Sequence, residues 1–299
     1  MAKILITGGS GLVGTQLSEQ LTKDGHEVSH LSRTAGDSTY PTFKWDLEKG
    51  FIDEEAFAGL DHIIHLAGAG VADERWTEKR KKLILDSRVD GVRLLYEYVS
   101  RLDVNLKSFV SASAIGIYGW DTGSDVLKED SPYGKDFLAE VVKSWEAETD
   151  KFSKITKVAK VRIGIVLSEK GGALPEILKP IKLYAGAPLG SGEQYLSWIH
   201  INDLCAIFAY IVSNNLEGVY NATAPNPVTN EAMTKAIAKT VVKPLFLPNV
   251  PAFVMNLMLG EMAQIVLGGN KVSGERIIQT GFRFEYDLLQ DALRDLLSR

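Results

Sequence analysis

Residues 7 to 14 read Thr7-Gly8-Gly9-Ser10-Gly11-Leu12-Val13-Gly14. An apolar run, Ile4-Leu5-Ile6, leads into this segment and an amphipathic stretch, Leu12 to Lys23, leaves it. That context is what a glycine turn needs to hold a pyrophosphate. Gly8 permits the tight turn, Gly11 lets backbone approach the phosphates, and Gly14 lets the helix pack closely on the strand. The helix N-terminus then offers its N–H groups and dipole to the negative charge. Thr7, Gly8, Gly11, Leu12, Val13 and Gly14 are therefore candidate cofactor contacts. The competing reading is a strand-helix turn with no ligand.

A second strand ends in Leu31-Ser32-Arg33-Thr34. Dinucleotide sites that take NAD place an acidic residue here, about 20 positions after the glycines, to hold the ribose hydroxyls. Arg33 stands nineteen residues beyond Gly14. A guanidinium pairs with a 2′-phosphate, so the expected cofactor is NADP(H), with NAD second to it. The competing reading of Arg33 is a surface arginine.

These residues need a scaffold. Strands are expected at Lys3 to Thr7, Glu27 to Ser32, His62 to Leu66, Ser108 to Ser113 and Lys157 to Ile165. Helices are expected around Leu12 to Lys23, Glu78 to Arg101 and Phe137 to Phe152. In the second of these, Leu85, Val89, Val92, Tyr96 and Val99 recur at helical steps. Alternating strands and helices imply an α/β fold, a Rossmann-type doubly wound parallel sheet. From Gly171-Gly172 the texture turns loop-rich, with Gly186, Pro188, Gly190 and Gly192. A helix at Asn202 to Ser213, a strand at Gly218 to Ala222, a helix at Asn230 to Val242 and a helical segment from Pro251 follow. The expected division is a nucleotide-binding domain over 1–170 and a smaller C-terminal α/β substrate-side domain over 171–299, interleaved with the first.

Composition narrows the class. Of 299 residues, 45% are hydrophobic and 24% charged, with a net charge of −5. No stretch interleaves Lys and Arg with aromatics, so no nucleic-acid footprint is expected. Pro251 to Leu267 is interrupted by Asn256, Glu261 and Gln264, and falls short of the ~20 apolar residues that span a bilayer. One cysteine, Cys205, makes no internal disulfide and suits a reducing compartment; a cytoplasmic location is expected. No metal site is expected, because His62 and His65 are three apart on a strand and point to opposite faces.

Further along, the chain resembles the extended, sugar-nucleotide epimerase-like branch of the short-chain dehydrogenase/reductase superfamily. Asp46-Leu47 resembles the acidic pair at adenine, and His65-Leu66-Ala67-Gly68 the motif lining the cofactor. Ser111-Ala112-Ser113 with Tyr118-Gly119 resembles the catalytic serine strand, and Arg162-Ile163-Gly164 and Trp198-Ile199-His200 resemble later segments. Arg75-Trp76-Thr77, Ser87-Arg88, Trp145-Glu146 and Gly281-Phe282-Arg283-Phe284 narrow the likeness to an atypical subfamily of epimerase-family proteins. The resemblance implies contacts to the cofactor from Asp46, Leu47, Ala67, Gly68 and Arg88. It also implies a small-molecule substrate of nucleotide-sugar type, and a homodimer built on helices 78–101 and 137–152.

One feature of the superfamily is missing. Its enzymes use Tyr-x-x-x-Lys, the tyrosine moving a proton while hydride moves and the lysine lowering its pKa. Here the relevant helix reads Phe137-Leu138-Ala139-Glu140-Val141-Val142-Lys143, which puts Leu138 and Val142 at those positions. The one literal match, Tyr40 to Lys44, contains Pro41 and is read as a loop. Ser113 and Arg88 remain as catalytic candidates. Ser113 either bonds a substrate oxygen or is satisfied within the protein, and Arg88 binds an anion or forms a helix-surface ion pair. Tyr118 and Tyr133 are the nearby tyrosines that could supply the proton. Two functions stay open: an NADP(H)-dependent oxidoreductase or epimerase-like enzyme, and a non-catalytic NADP(H)-binding sensor.

Overall fold

The apolar run Lys3–Thr7 forms strand β1, whose Ile4, Leu5 and Ile6 have no exposed surface, and it feeds helix α1, Leu12–Lys23. The computed structural model describes residues 1–34 and 39–298. Strands β2 (Glu27–Ser32), β3 (Thr42–Asp46), β4 (Phe51–Ile52) and β5 (His62–His65) follow, then helix α2 (Glu78–Arg101) and strands β6 (Ser108–Ala114) and β7 (Asp121–Leu127). Helix α3 (Phe137–Thr149), strands β8 (Lys157–Ile163), β9 (Ile165–Ser168) and β10 (Gly171–Gly172), and helix α4 (Ala173–Lys182) come next. The remainder is β11 (Tyr195–Leu196), β12 (Trp198–His200), α5 (Ile201–Ser213), β13 (Gly218–Ala222), β14 (Val228–Thr229), α6 (Asn230–Thr240), α7 (Ala252–Leu259), α8 (Gln264–Leu267), β15 (Gly269–Val272), α9 (Glu275–Gln279) and α10 (Leu289–Leu297).

Eight strands make the main sheet in the order β13-β8-β6-β5-β1-β2-β3-β4, parallel except for β4. This is the doubly wound Rossmann architecture. From β1 the chain builds outward first through β2 and β3, then in the other direction through β5, β6 and β8. That reversal opens a crevice at the carboxyl ends of β1 and β5, where such sheets bind ligands. Apolar burial on both faces holds the sheet: Ile63, Ile64, Phe109, Val110, Ala159 and Val161 show at most traces of exposed surface.

Three elements depart from expectation. Thr42–Asp46 is a strand beside β2, so the literal Tyr40 to Lys44 match ends on β3 and not in a loop. The expected strand over 157–165 breaks at Gly164, where a Cβ would lie 2.4 Å from Ser197 O. The chain changes sheets there, and β9 joins β12 and β10. The expected division at residue 170 thus falls within that small sheet, and β13 returns to the edge of the main one. Across that boundary α5 packs on α1, and β13 pairs with β8.

Candidate functional site

At the end of β1 the chain turns through Gly8, whose φ of +73° is easy only for glycine. A Cβ on Gly8 would stand 3.0 Å from Ala67 N, so the turn and the loop after β5 lie back to back. Gly14 is buried, and a Cβ there would be 2.2 Å from Gly8 O; this is the close helix–strand contact. A Cβ on Gly11 would meet only Gly8 O, at 3.3 Å, so the outer side of the turn is open to an approaching group.

The start of α1 is bare. Gly11 is its N-cap, no side chain caps it, and no acidic residue lies in its first turn. By contrast Thr77 caps α2 through Arg80 N–H, and Asp136 caps α3 through Ala139 N–H. Leu12 and Val13, half-buried, are the first residues of an N-terminus left for an anion.

Thr7 takes a different position from the rest of the turn. Its side chain is fully buried, and its hydroxyl accepts from the N–H groups of Leu66 and Ala67, both at 3.2 Å, and contacts His65 Nδ1 at 2.8 Å. It therefore shapes the loop carrying Ala67 and Gly68. Burial pushes His65 down to about 3, with a further push from Arg88, so its ring is neutral at physiological pH. His62 is likewise lowered to about 4 by burial and bonds Ser108 Oγ at 2.8 Å.

Sequence reasoning missed a support under the turn. A Cβ on Gly9 would strike the His30 ring at 2.5 Å. Ser18 Oγ donates to Gly14 O at 2.7 Å and meets His30 Nε2 at 2.8 Å. Nothing in the glycine spacing announces this, although a buried histidine in an apolar strand is a visible oddity.

On the β2–β3 side, Arg33, Trp45, Asp46 and Leu47 line a depression of about 430 Å³. Arg33 is exposed, is the only basic residue in that lining, and makes no ion pair among the described residues. The lining carboxylates Asp86 and Asp90 are answered by Lys82 at 2.6 Å and Arg93 at 2.8 Å. Asp46 Oδ1 accepts from Lys49 N–H at 3.2 Å. The depression lies on the β2–β3 side of the sheet, and the open glycine turn and uncapped helix follow β1, the strand that pairs with β2.

At the other end, polar groups are already satisfied. Ser113 is 3% exposed and donates to Glu146 Oε1 at 2.6 Å. Glu146 also accepts two bonds from Arg162, from Nε at 2.8 Å and Nη2 at 3.0 Å. Burial alone would raise the Glu146 carboxyl, but Arg162, Ser113 and Lys160 outweigh it and hold it below its usual value. Arg162 further donates to Tyr118 at 2.9 Å and to the half-exposed Tyr133 at 3.3 Å. Tyr118 Oη donates to Asn221 Oδ1 at 2.7 Å. Of the two readings of Ser113, the structure shows the hydroxyl bonded within the protein, because Glu146 is the strong acceptor within reach. Leu138 sits against Gly116, and Val142 is buried with Ile117 and Leu127, so an apolar surface stands where the superfamily has its acid.

Arg88 is no surface ion pair. It donates to the carbonyls of Ala69 at 2.9 Å and Ile84 at 3.0 Å, and lies over the Trp145 ring at 5.4 Å. Farther out, Arg75 donates to the carbonyls of Leu257 and Met258, and Lys81 pairs with Glu261 at 2.6 Å. These contacts draw the 252–261 segment over the loop that follows β5. No helix among the described residues is long and apolar enough to cross a membrane.

Fold and glycine turn together define a Rossmann protein built for a nicotinamide dinucleotide. The family model for the NAD dependent epimerase/dehydratase family matches residues 4–223, and a domain of unknown function, DUF1731, matches 250–296. The epimerase family protein YfhF of Bacillus subtilis is 36% identical over 299 residues, spanning 99% of this chain and 98% of that protein. The crystal structure of human epimerase family protein SDR39U1 with NADPH superposes with a TM-score of 0.90 at 30% identity, covering 99% of both chains. A nucleoside-diphosphate sugar epimerase from Corynebacterium glutamicum matches 99% of this chain and 58% of its own, with 33% identity and a TM-score of 0.80. The chain belongs to the NAD dependent epimerase/dehydratase family, as an atypical short-chain dehydrogenase/reductase.

Proposed function

We propose that this protein is an NADP(H)-binding, epimerase/dehydratase-like oxidoreductase of the cytoplasm, working without the Tyr-x-x-x-Lys pair. The observation that carries the NADP(H) reading is Arg33, an exposed guanidinium with no ion-pair partner among the described residues, lining the adenine-side depression. A carboxylate there would favour NAD; a cation favours the 2′-phosphate. The human relative's structure with NADPH supports the same choice.

In this reading Gly8, Gly11 and Gly14 admit the pyrophosphate to the start of α1, with Leu12 and Val13 supplying N–H groups. Asp46 and Leu47 border adenine, while Ala67 and Gly68 pass beneath the nicotinamide half. The bound cofactor would supply hydride chemistry. The chain's own task is to orient the substrate against it and to exclude water. A nucleotide sugar is the proposed substrate, by likeness to the Corynebacterium protein. With Ser113 committed to Glu146 and apolar Leu138 and Val142 nearby, Tyr133 is the half-exposed hydroxyl left to move a proton. We further propose a homodimer through α2 and α3.

The same apolar surface favours a second reading, a non-catalytic NADP(H)-binding sensor. Incubation of stereospecifically deuterated NADPH with a panel of keto nucleotide sugars, whose carbonyl can accept the deuteride, and of NADP+ with ring-deuterated nucleotide sugars, which can donate it, separates the two. Transfer of deuterium to carbon supports the enzyme. Tight binding with no transfer across the panel overturns it in favour of the sensor.

A further inference from the structure

Three arginines in this half of the molecule are buried or half-buried, and two have carboxylate partners. Arg162 is held by Glu146 at 2.8 Å. Arg80 is held by Asp73 at 3.1 Å and Glu74 at 3.8 Å. Arg88 differs: among the described residues, no carboxylate lies within ion-pair distance of it. Its guanidinium rests on two backbone carbonyls and the Trp145 ring. Burial and the neighbouring charge of Arg80 lower it to about 10, which still leaves it cationic at neutral pH. A withdrawn charge without a counter-ion is costly, and proteins keep such charges where they act on something.

Topology says what lies above it. The adenine-side depression is on β2 and β3, and the pyrophosphate position is at the start of α1, beside β1. A dinucleotide laid from the one to the other must send its nicotinamide toward β5 and β6. The Arg88 side chain comes from α2 and lies against the loop after β5, where a Cβ on Gly68 would stand 3.0 Å from Arg88 Cζ; in the dinucleotide reading this is the nicotinamide end of the site. Where the superfamily has a lysine, this chain has buried Val142, so no ammonium shares the position.

We propose that Arg88 makes the site read the redox state of its cofactor, holding NADPH more tightly than NADP+. The reduced nicotinamide ring is neutral and the oxidised ring is a cation. A fixed cation nearby is indifferent to the first and repels the second. At several ångströms and an effective dielectric near 20, that repulsion is worth roughly 10- to 100-fold in affinity. Occupancy would then follow the reduced fraction of the NADP(H) pool, whether the protein is an enzyme or a sensor. The inference rests on the dinucleotide reading above and adds a direction to it.

The test is a set of dissociation constants for NADPH, NADP+ and 2′-phospho-ADP-ribose, which lacks the nicotinamide ring, on the wild-type protein and on R88Q and R88K. Wild type should bind NADPH about 10-fold or more tighter than NADP+, and NADP+ no tighter than 2′-phospho-ADP-ribose. R88Q should bring the NADPH:NADP+ ratio to within about threefold, chiefly by tightening NADP+, while R88K keeps the preference. Equal affinity for both redox states in wild type overturns the inference. So does an R88Q variant that weakens both equally, since Arg88 would then be a phosphate clamp. If R88Q fails to fold, the three wild-type constants decide alone. Failure of all three ligands to bind would instead defeat the dinucleotide reading itself.

Discussion

The two ends of the proposed dinucleotide site are built on opposite principles. At the glycine turn, groups that proteins normally satisfy are left open: α1 starts on an uncapped Gly11, and Arg33 stands exposed, with no ion pair among the described residues. At the reaction end, Ser113, Glu146, Arg162, Tyr118 and Asn221 satisfy one another in a buried chain of hydrogen bonds. Residues kept for a ligand are held short of partners, whereas residues kept for the fold consume each other's capacity. On that criterion Ser113, whose residue type marks it as catalytic, belongs to the fold. Arg88, which a sequence reading leaves between anion site and surface ion pair, lies between the two sets: it has no carboxylate partner among the described residues, yet it donates to the carbonyls of Ala69 and Ile84.

The comparison breaks most severely at Gly14. In Gly14→Ala the new Cβ would stand 2.2 Å from Gly8 O, which forces the turn open. We expect a loss of about 3 kcal/mol or more of stability and of measurable NADPH binding, read by thermal melting and fluorescence titration. Retained NADPH affinity would show that the turn does not cradle the cofactor.

Next in size is the buried chain. Arg162→Met leaves Glu146 with only Lys160, at 3.6 Å, as a counter-ion and should cost about 3 kcal/mol in denaturant unfolding. Because Glu146 is held below its unfolded value, its contribution is present at neutral pH and fades as pH falls through that lowered value. Glu146→Gln should therefore flatten the acid limb of stability below about pH 4.5. An unchanged acid limb would mean the carboxylate contributes nothing.

The two neutral histidines sharpen the comparison at milder pH. Their folded values, about 4 for His62 and about 3 for His65, lie below the unfolded value. The unfolded chain thus takes up protons first, and stability should decline as pH falls from about 6.5, by up to roughly 1.4 kcal/mol per unit for each ring. Buried His30 is lowered by burial as well, so His62→Asn should remove only one ring's share of that slope, up to roughly 1.4 kcal/mol per unit down to about pH 4, in denaturant melts across the range. Smallest of all is Tyr133→Phe, which removes a 3.3 Å contact at a half-exposed ring and should change stability by less than about 1 kcal/mol. Any larger effect on hydride transfer, once a substrate is found, would mark Tyr133 as the proton donor.

Much of the scaffold was legible because it is local. β1, the glycines and α1 follow one another directly, so period, turn chemistry and helix start agree within twenty-odd residues. Strand β3 was harder to read: it is five residues long, follows Pro41, and gains its strand character from pairing with β2. β7 and β15 could not be read at all, because Asp121-Thr122-Gly123-Ser124-Asp125 has no apolar alternation and finds its partner more than a hundred residues away. The break at Gly164 depends on the carbonyl of Ser197, another distant contact. In the site, the missing acid was plain from Leu138 and Val142. The commitment of Ser113 was hidden, because Glu146 lies thirty-three residues on, in a helix whose register alone brings the carboxylate beneath the strand.

An exposed Arg33, with no ion pair among the described residues, is proposed to select the 2′-phosphate at the end of an uncapped glycine turn. The direct test is titration of the wild-type protein and Arg33→Ala with NADPH and NADH, followed by cofactor fluorescence. We predict tight NADPH binding by the wild type, NADH weaker by about tenfold or more, and collapse of that difference in Arg33→Ala with NADH unaffected. Equal affinity for the two cofactors in the wild type, or a preference that survives loss of Arg33, would contradict the account.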